Sequence, residues 1–364
     1  MTVALTGATG FLGLHLLPGL LAEHDSLVVL ARGEPSTVLD RIGGFLAASG
    51  AHAESPEGLS RRIRVVRADV TRPRFGLSAA AFGALAGELD ELWHSAGDTT
   101  QDASLARLRA ANVEGTRNAL ALASAGRPRF FHISTAFVAG GRRYGTVYDD
   151  ELTDGHGFAT PYERSKYEAE VAVRDWALGQ NRAAVVFRPS VLSTHLPPGP
   201  YVPSHPVLFA SGALRAVIGQ PSAGARAGPA ALVRISGHPE AHINVMPVAD
   251  AAAVMLALAR WHRDGDRGGS GDRGLETYHV VHPEELPITA LLDALAASLP
   301  IRFAVVPEVA DPSPLEAKVQ LLSGVWAYAH HRRRYDDARV RALVDVRASR
   351  GRIDRGYLLA GIQR

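Results

Sequence analysis

Short apolar runs alternate with segments of helical spacing along the first half of the chain. TVALTG, SLVVLAR, RIRVVRADV, ELWHSAG, RFFHISTAFVAG and AAVVFRPSVL read as six short strands, apolar enough to be buried. Between them FLGLHLLPGLLAEH, despite Pro18, then LARLRAANVEGTRNALALASAG and YERSKYEAEVAVRDWALG carry apolar residues at helical spacing. Strands alternating with helices predict an α/β fold with a doubly wound parallel sheet. Right-handed crossovers then place the carboxyl ends of the strands, and any ligand, along one edge.

Beyond Val191 the pattern changes. STHLPPGPYVPSHP is rich in proline and GQPSAGARAGPAAL in glycine and alanine, so 193–242 reads as loop. HINVMPVADAAAVMLALARWH predicts a short strand and a helix, RDGDRGGSGDRG a surface connection, and ETYHVVHP another strand. The expected division is a dinucleotide-binding domain over 1–192, substrate-lobe loops over 193–242, a return to the first domain over 243–282, and a mostly helical C-terminal substrate lobe over 283–364.

Composition narrows the function classes. The 364 residues are 46% hydrophobic and 21% charged, ordinary for a globular protein, and contain no cysteine. Disulfides, cysteine-ligated zinc and thiol nucleophiles are therefore excluded, which fits a cytoplasmic enzyme. A net charge of +2 is too small to suggest a nucleic acid partner. No apolar run is long enough for a membrane span, and the apolar start lacks the basic flank of a signal peptide. His195, His205, His238 and His242 show no metal-ligand spacing, and AHHRRRYDD reads as a solvated helix face or a phosphate contact rather than a metal site.

TGATGFLG supplies the first candidate chemistry. Gly7, Gly10 and Gly13 lie between a strand and a helix, where glycine permits a tight turn and close approach of a pyrophosphate to the helix N-terminus. Thr9, Phe11 and Leu12 of the same loop join the candidate contacts, and the fold expectation sharpens to a Rossmann-type sheet. The second strand ends in Arg32, where an NAD site has an acidic residue. A guanidinium suits a 2′-phosphate, so NADPH is expected, with Arg41 as a second phosphate contact. Glu34 is the acidic rival two residues on. Asp69 and Val70, after the third strand, are placed at the adenine, with a turn aspartate as the equal alternative. Ala96 and Gly97 leave room beside the cofactor.

Only two of the 39 basic residues are lysine, and one of them, Lys166, stands four residues after Tyr162. That spacing puts both on one helical face, just after Pro161 at the expected helix start. A tyrosine works as an acid or base near neutral pH when its pKa of about 10 falls, and a neighbouring ammonium has that effect. A compact ammonium on a long stem also reaches a ribose.

Tyr162-x-x-x-Lys166 together with TGATGFLG resembles the extended short-chain dehydrogenase/reductases. Arg32, HSAGDTT, NVEGTRNAL, HISTAFVAG, FRPSVL and NVMPVADAA narrow the resemblance to the branch of fatty acyl-CoA reductases. The terminal thioester reductase domains of carboxylic acid reductases and nonribosomal peptide synthetases belong to that branch. The resemblance spans residues 3 to about 260 and implies a Thr–Tyr–Lys site. Thr135, rather than Ser134, and Tyr162 would hydrogen-bond the reacting oxygen. Lys166 would lower the pKa of Tyr162 and grip the nicotinamide ribose, and Asn112 would hold a water or a backbone bend near Lys166, or cap a helix. One departure is Ala96–Gly97 where the branch commonly has two alanines.

The implied reaction is NADPH-dependent reduction of an acyl-CoA or carrier-bound thioester to an aldehyde, with alcohol as a further endpoint. No adenylation or carrier domain precedes the glycine loop, so a separate carrier protein or coenzyme A is expected to deliver the substrate. Arg215, Arg226 and Arg234 are candidates for a phosphopantetheine phosphate, with solvated loop arginines as the default. The alternatives are an aldehyde or ketone reductase, an NAD-dependent sugar-nucleotide epimerase or dehydratase, and a non-catalytic dinucleotide-binding regulator.

Overall fold

Five short strands open the chain: β1 (Val3–Thr6), β2 (Leu27–Ala31), β3 (Ile63–Arg67), β4 (Glu91–His94) and β5 (Arg129–Ile133). They join the later strands Ala184–Pro189 and Leu275–Val280 in one seven-stranded sheet. Its order is Leu275–Val280, Ala184–Pro189, β5, β4, β1, β2, β3, with every neighbour parallel. The computed structural model describes residues 1–51, 56–101, 103–219, 230–267, 274–322, 326–344 and 351–363. Helices cover both faces, which is why the strands read as apolar runs and not as alternation. Every residue of β1 and β4 is buried. Trp93, Phe131 and Phe187 stack across three neighbouring strands, with centroids 4.4 Å and 6.0 Å apart for successive pairs. Burying such a ring contributes about 1.5–3 kcal/mol.

The order reverses at β1. The chain leaves that strand toward β2 and β3 and resumes on its other side with β4, so a crevice opens at the carboxyl ends of β1 and β4. Helix α1 (Phe11–Glu23) starts there, and α2 (Pro35–Ala48) follows β2. Pro18 sits inside α1 without ending it.

A smaller lobe stands beside this edge. Strands Ala231–Ser236 and Ile301–Val306 pair in parallel, and helices Pro206–Ile218, Ile288–Ala296 and Arg355–Ile362 share one apolar cluster with them. Phe137, from the turn after β5, is buried in the same cluster and fixes the lobe to the sheet domain two residues from Thr135. The stretch read as loop thus holds a helix and a strand. Pro206 starts that helix, and its apolar Val207, Ala210 and Leu214 face the lobe. Val340 and Val344 belong instead to the main sheet core, so the chain returns to the sheet domain once more near its end.

The arginine-rich segment corrects the reading of a solvated helix face. Arg332–Tyr335 is a strand paired in parallel with Tyr144–Val147, and its side chains alternate exposed and buried. Arg333 lies inside, donating to the carbonyls of Gly140 and Arg142, with its guanidinium 5.4 Å from the Phe137 ring centroid.

Candidate active site

The turn from β1 into α1 is built for close approach. Gly7 has φ +71°, and a Cβ there would lie 2.7 Å from the backbone of Ser95 and Ala96. A Cβ on Gly13 would fall 2.1 Å from the Gly7 carbonyl oxygen. Gly10 stands at the N-cap of α1 with no side-chain cap hydrogen bond, which leaves the first amides of the helix to a ligand. Thr9 and Phe11 are half-buried and Leu12 is buried. The cradle fits a dinucleotide pyrophosphate. Thr6 Oγ1 accepts from the amides of Ser95 and Ala96, both at 3.1 Å, and locks the β4 loop against the turn.

Basic groups flank this cradle. Arg32 is exposed at the end of β2, and Arg41 reaches back from α2 to donate to the Thr9 carbonyl at 3.0 Å. The acidic rival Glu34 pairs with Arg67 at 2.6 Å. Asp69 takes the turn geometry: one carboxylate oxygen accepts from the Thr71 amide at 3.0 Å and its hydroxyl at 2.7 Å. Burial alone would raise its pKa, but the Thr71 hydrogen bonds, helped by Arg32, hold it below the ordinary value. Val70 follows, its carbonyl accepting from Asn118 at 2.8 Å.

Thr135, Tyr162 and Lys166 come together next to that crevice. Thr135 lies two residues past β5 and caps a short turn, accepting from the Phe137 amide at 3.3 Å and donating to the Pro189 carbonyl at 3.4 Å. Tyr162 and Lys166 lie in the first turns of helix Pro161–Gly179, whose N-cap Thr160 accepts from the Glu163 amide at 3.2 Å. Tyr162 hydrogen-bonds Thr135. The ammonium of Lys166 donates to the Ile133 carbonyl at 2.7 Å.

Electrostatics here depart from the sequence reading. Burial pushes Tyr162 up to about 12, against the Thr135 hydrogen bond, and Lys166 does not offset it. Burial also brings Lys166 down to about 8, with Glu170 opposing. Burial thus holds Tyr162 as a protonated phenol, and Lys166 beside it donates to a backbone carbonyl.

Beneath the site sits a buried ion pair that the sequence reading missed. Arg188 is 1% exposed and Glu170 2%, and the guanidinium meets the carboxylate through two nitrogens at 2.6 Å and 3.0 Å. Ser134 donates to the same carboxylate, so it is committed to packing while Thr135 faces the site. The signal was present as Glu170 four residues after Lys166 and the arginine of FRPSVL. Asn112 does not cap a helix. It lies in a π-helical turn, Arg109–Glu114, a feature frequent at functional sites. Its Oδ1 accepts from the Asp98 amide at 2.7 Å, and its Nδ2 donates to the Asp98 carbonyl and to Ser165, both at 2.9 Å. It thereby clamps the loop carrying Ala96 and Gly97 to the Tyr–Lys helix.

Two of the three arginines considered for a phosphate are engaged elsewhere. Arg234 pairs with Glu316 at 2.8 Å and Arg215 donates to Ser298 at 2.7 Å, while Arg226 lies outside the described residues. Among the described residues no cluster suits a metal ion, and no helix is long and apolar enough to cross a membrane.

Residues 5–253 match the NAD-binding family described as Male sterility protein, more than half of the chain. An isonitrile lipopeptide synthase of Streptomyces coeruleorubidus is 34% identical over 171 residues, 46% of this chain and 12% of that protein. The large subunit of L-2-aminoadipate reductase from Penicillium chrysogenum is 31% identical over 193 residues, 48% of this chain and 14% of that subunit. The chain thus spans a small fraction of these relatives. Among solved structures, the terminal R domain from the myxalamid PKS-NRPS biosynthetic pathway superposes with a TM-score of 0.73 at 22% identity, covering 99% of this chain and 89% of that one. A UDP-glucuronic acid 4-epimerase from Bacillus cereus, in complex with NAD, gives 0.65 at 16% identity over 100% and 97%. Both likenesses establish the fold alone, a Rossmann-type α/β sheet.

Proposed function

We propose, from the premise that the chain belongs to the Male sterility protein family of NAD-binding domains, that it is an NADPH-dependent reductase of a thioester carried by coenzyme A or a carrier protein. The observation that carries the reading is the meeting of Thr135, protonated Tyr162 and Lys166 beside the Gly7–Gly13 cradle. The reductase and synthase relatives support a carrier-bound acyl substrate. The pairing of Glu34 with Arg67 supports NADPH, since it occupies the acidic rival and leaves Arg32 and Arg41 for a 2′-phosphate.

In this reading the α1 amides hold the pyrophosphate, Arg32 and Arg41 the 2′-phosphate, Asp69 the adenine and Lys166 the nicotinamide ribose. The bound dinucleotide supplies the hydride. Thr135 and Tyr162 donate to the carbonyl oxygen of the thioester, whose growing negative charge strengthens both hydrogen bonds. Tyr162 then gives up its phenolic proton to that oxygen, and the hemithioacetal collapses to an aldehyde and a thiol. A neutral phenol pushed up to about 12 is in the donor form throughout the physiological range.

The test is oxidation of NADPH with a panel of acyl-coenzyme A thioesters and acylated carrier protein, with NADH, ketones and aldehydes alongside. Thioester-dependent oxidation with release of free thiol is expected; activity on ketones alone, or NAD retained through purification, would overturn the reading. Substituting Arg32 by alanine should raise the KM for NADPH by about tenfold or more and leave that for NADH nearly unchanged, because only the phosphate contact is lost. A pH dependence follows from Lys166, which loses its charge above about 8. The kcat/KM profile of the free enzyme should therefore fall on a basic limb near pH 8, not near the ordinary lysine value.

A further inference from the structure

The glycine cradle and the Tyr162–Lys166 helix are separate elements, and one unbroken run of hydrogen bonds joins them. At the cradle, the Thr6 hydroxyl oxygen accepts from the Ser95 and Ala96 amides, both at 3.1 Å. Its two lone pairs are then filled, so its proton goes to Nδ1 of His94 at 2.9 Å. On the far side of that imidazole, Thr116 donates its own proton to the Asn112 carbonyl at 2.6 Å. The Thr116 oxygen therefore accepts from His94 Nε2, at 3.2 Å. Each side alone assigns the same form, a neutral ring with its proton on Nε2. From Asn112 the run continues through Nδ2 to Ser165 at 2.9 Å, and from the Ser165 hydroxyl to the Tyr162 carbonyl at 2.8 Å. The rings of Phe130 and His132 lie alongside His94, with centroids 6.3 Å and 5.7 Å away.

We propose that His94 is a positioning residue of this site: its Nε2-protonated ring sets the glycine cradle and the π-helical turn of Asn112 at the separation that the reacting groups need. The inference rests on the reductase reading, and His94 acts through Asn112 and Ser165. Packing alone gives no reason for the line. Ala4, Leu92, Phe130 and Ala119 share one apolar cluster on this face of the sheet, and valines around a phenylalanine would continue it. Instead Thr6, His94 and Thr116 are buried together at the carboxyl ends of β1 and β4, where the crevice opens. A ring protonated on both nitrogens would set an N–H against a Thr6 oxygen that is already filled, breaking the line at the cradle. Burial, followed by the Lys166 charge, brings His94 down to about 3, which keeps the ring neutral.

Thr116→Val keeps the shape of the side chain and removes the acceptor of His94 Nε2; Thr6→Val removes the donor to Nδ1. Each should lower kcat/KM for the thioester about tenfold and raise the dissociation constant for NADPH about threefold or more. The double variant should be no worse than the worse single, because breaking either end breaks one line. Thr116→Ser keeps the hydroxyl and should recover most of the loss, which a packing role for the methyl group would not allow. Wild-type values in Thr116→Val, losses that multiply in the double, or no recovery with serine would overturn the role of His94 while leaving thioester reduction standing. A second readout needs no turnover. Nitrogen NMR of histidine-labelled protein should show an imidazole protonated on Nε2 and bare on Nδ1 at neutral pH, with shifts that move in Thr116→Val. If the responding imidazole is protonated on Nδ1, or none responds, the role of His94 is overturned even if the protein reduces no thioester, a result that by itself would sink only the reductase reading.

Discussion

Replacing Tyr162 by phenylalanine is expected to lower kcat for reduction about a thousandfold, with the dissociation constant for NADPH within about twofold of wild type. The substitution removes one hydroxyl and keeps the buried ring, so the helix start and the Thr160 cap stay in place. Thr135 is not orphaned, since its hydroxyl still meets the Pro189 carbonyl at 3.4 Å. What is lost is the proton and one of two donors to the developing oxyanion. Thr135→Ala removes the other donor alone and should cost less, about a hundredfold, because the acid remains. Steady-state rates and quenching of protein fluorescence by NADPH measure the two quantities separately. A Tyr162→Phe enzyme within tenfold of wild type would move the acid to another group.

Much of this arrangement was legible because parallel strands are buried on both faces and announce themselves as apolar runs. VALT and ELWH needed no alternation to be read as strands, and the TGATGFLG turn was legible as the link from β1 into α1. The Tyr–Lys pair was legible from spacing and from the rarity of lysine. The electrostatics were not. Burial dominates the titration of both Tyr162 and Lys166, and neither that burial nor the Ile133 carbonyl, 33 positions from Lys166, can be read from the spacing of the pair. Arg333 was misread for the same reason: the carbonyl it donates to belongs to Gly140, 193 positions away. The helix Pro206–Ile218 escaped notice because Pro and Gly dominate the segments on both sides of it, and its apolar face finds meaning only against the lobe.

Glu170→Ala should destabilise the protein by about 3–5 kcal/mol, the largest stability loss expected from any single charge removal here. The Arg188 guanidinium would stay buried at 1% exposure with its counter-charge gone, keeping only the Asp149 carbonyl at 3.1 Å, and Ser134 would lose its acceptor. Burial decides the size of the effect. The pair Arg64–Glu88 has side chains 53% and 40% exposed, and breaking it should cost less than about 1 kcal/mol, because water replaces the lost partner. Urea unfolding distinguishes the two, and replacing Glu170 and Arg188 together by leucine and methionine should recover most of the loss, since no lone charge remains. A Glu170→Ala protein as stable as wild type would mean that solvent reaches Arg188. The same substitution touches the chemistry one turn away. Glu170 is the group that holds Lys166 up against its burial, so removing it should move the basic limb of kcat/KM below pH 8 in whatever fraction remains folded. The buried pair therefore does two things here: it ties the segment after β5 to the strand Ala184–Pro189, and its carboxylate opposes the loss of charge that burial imposes on Lys166.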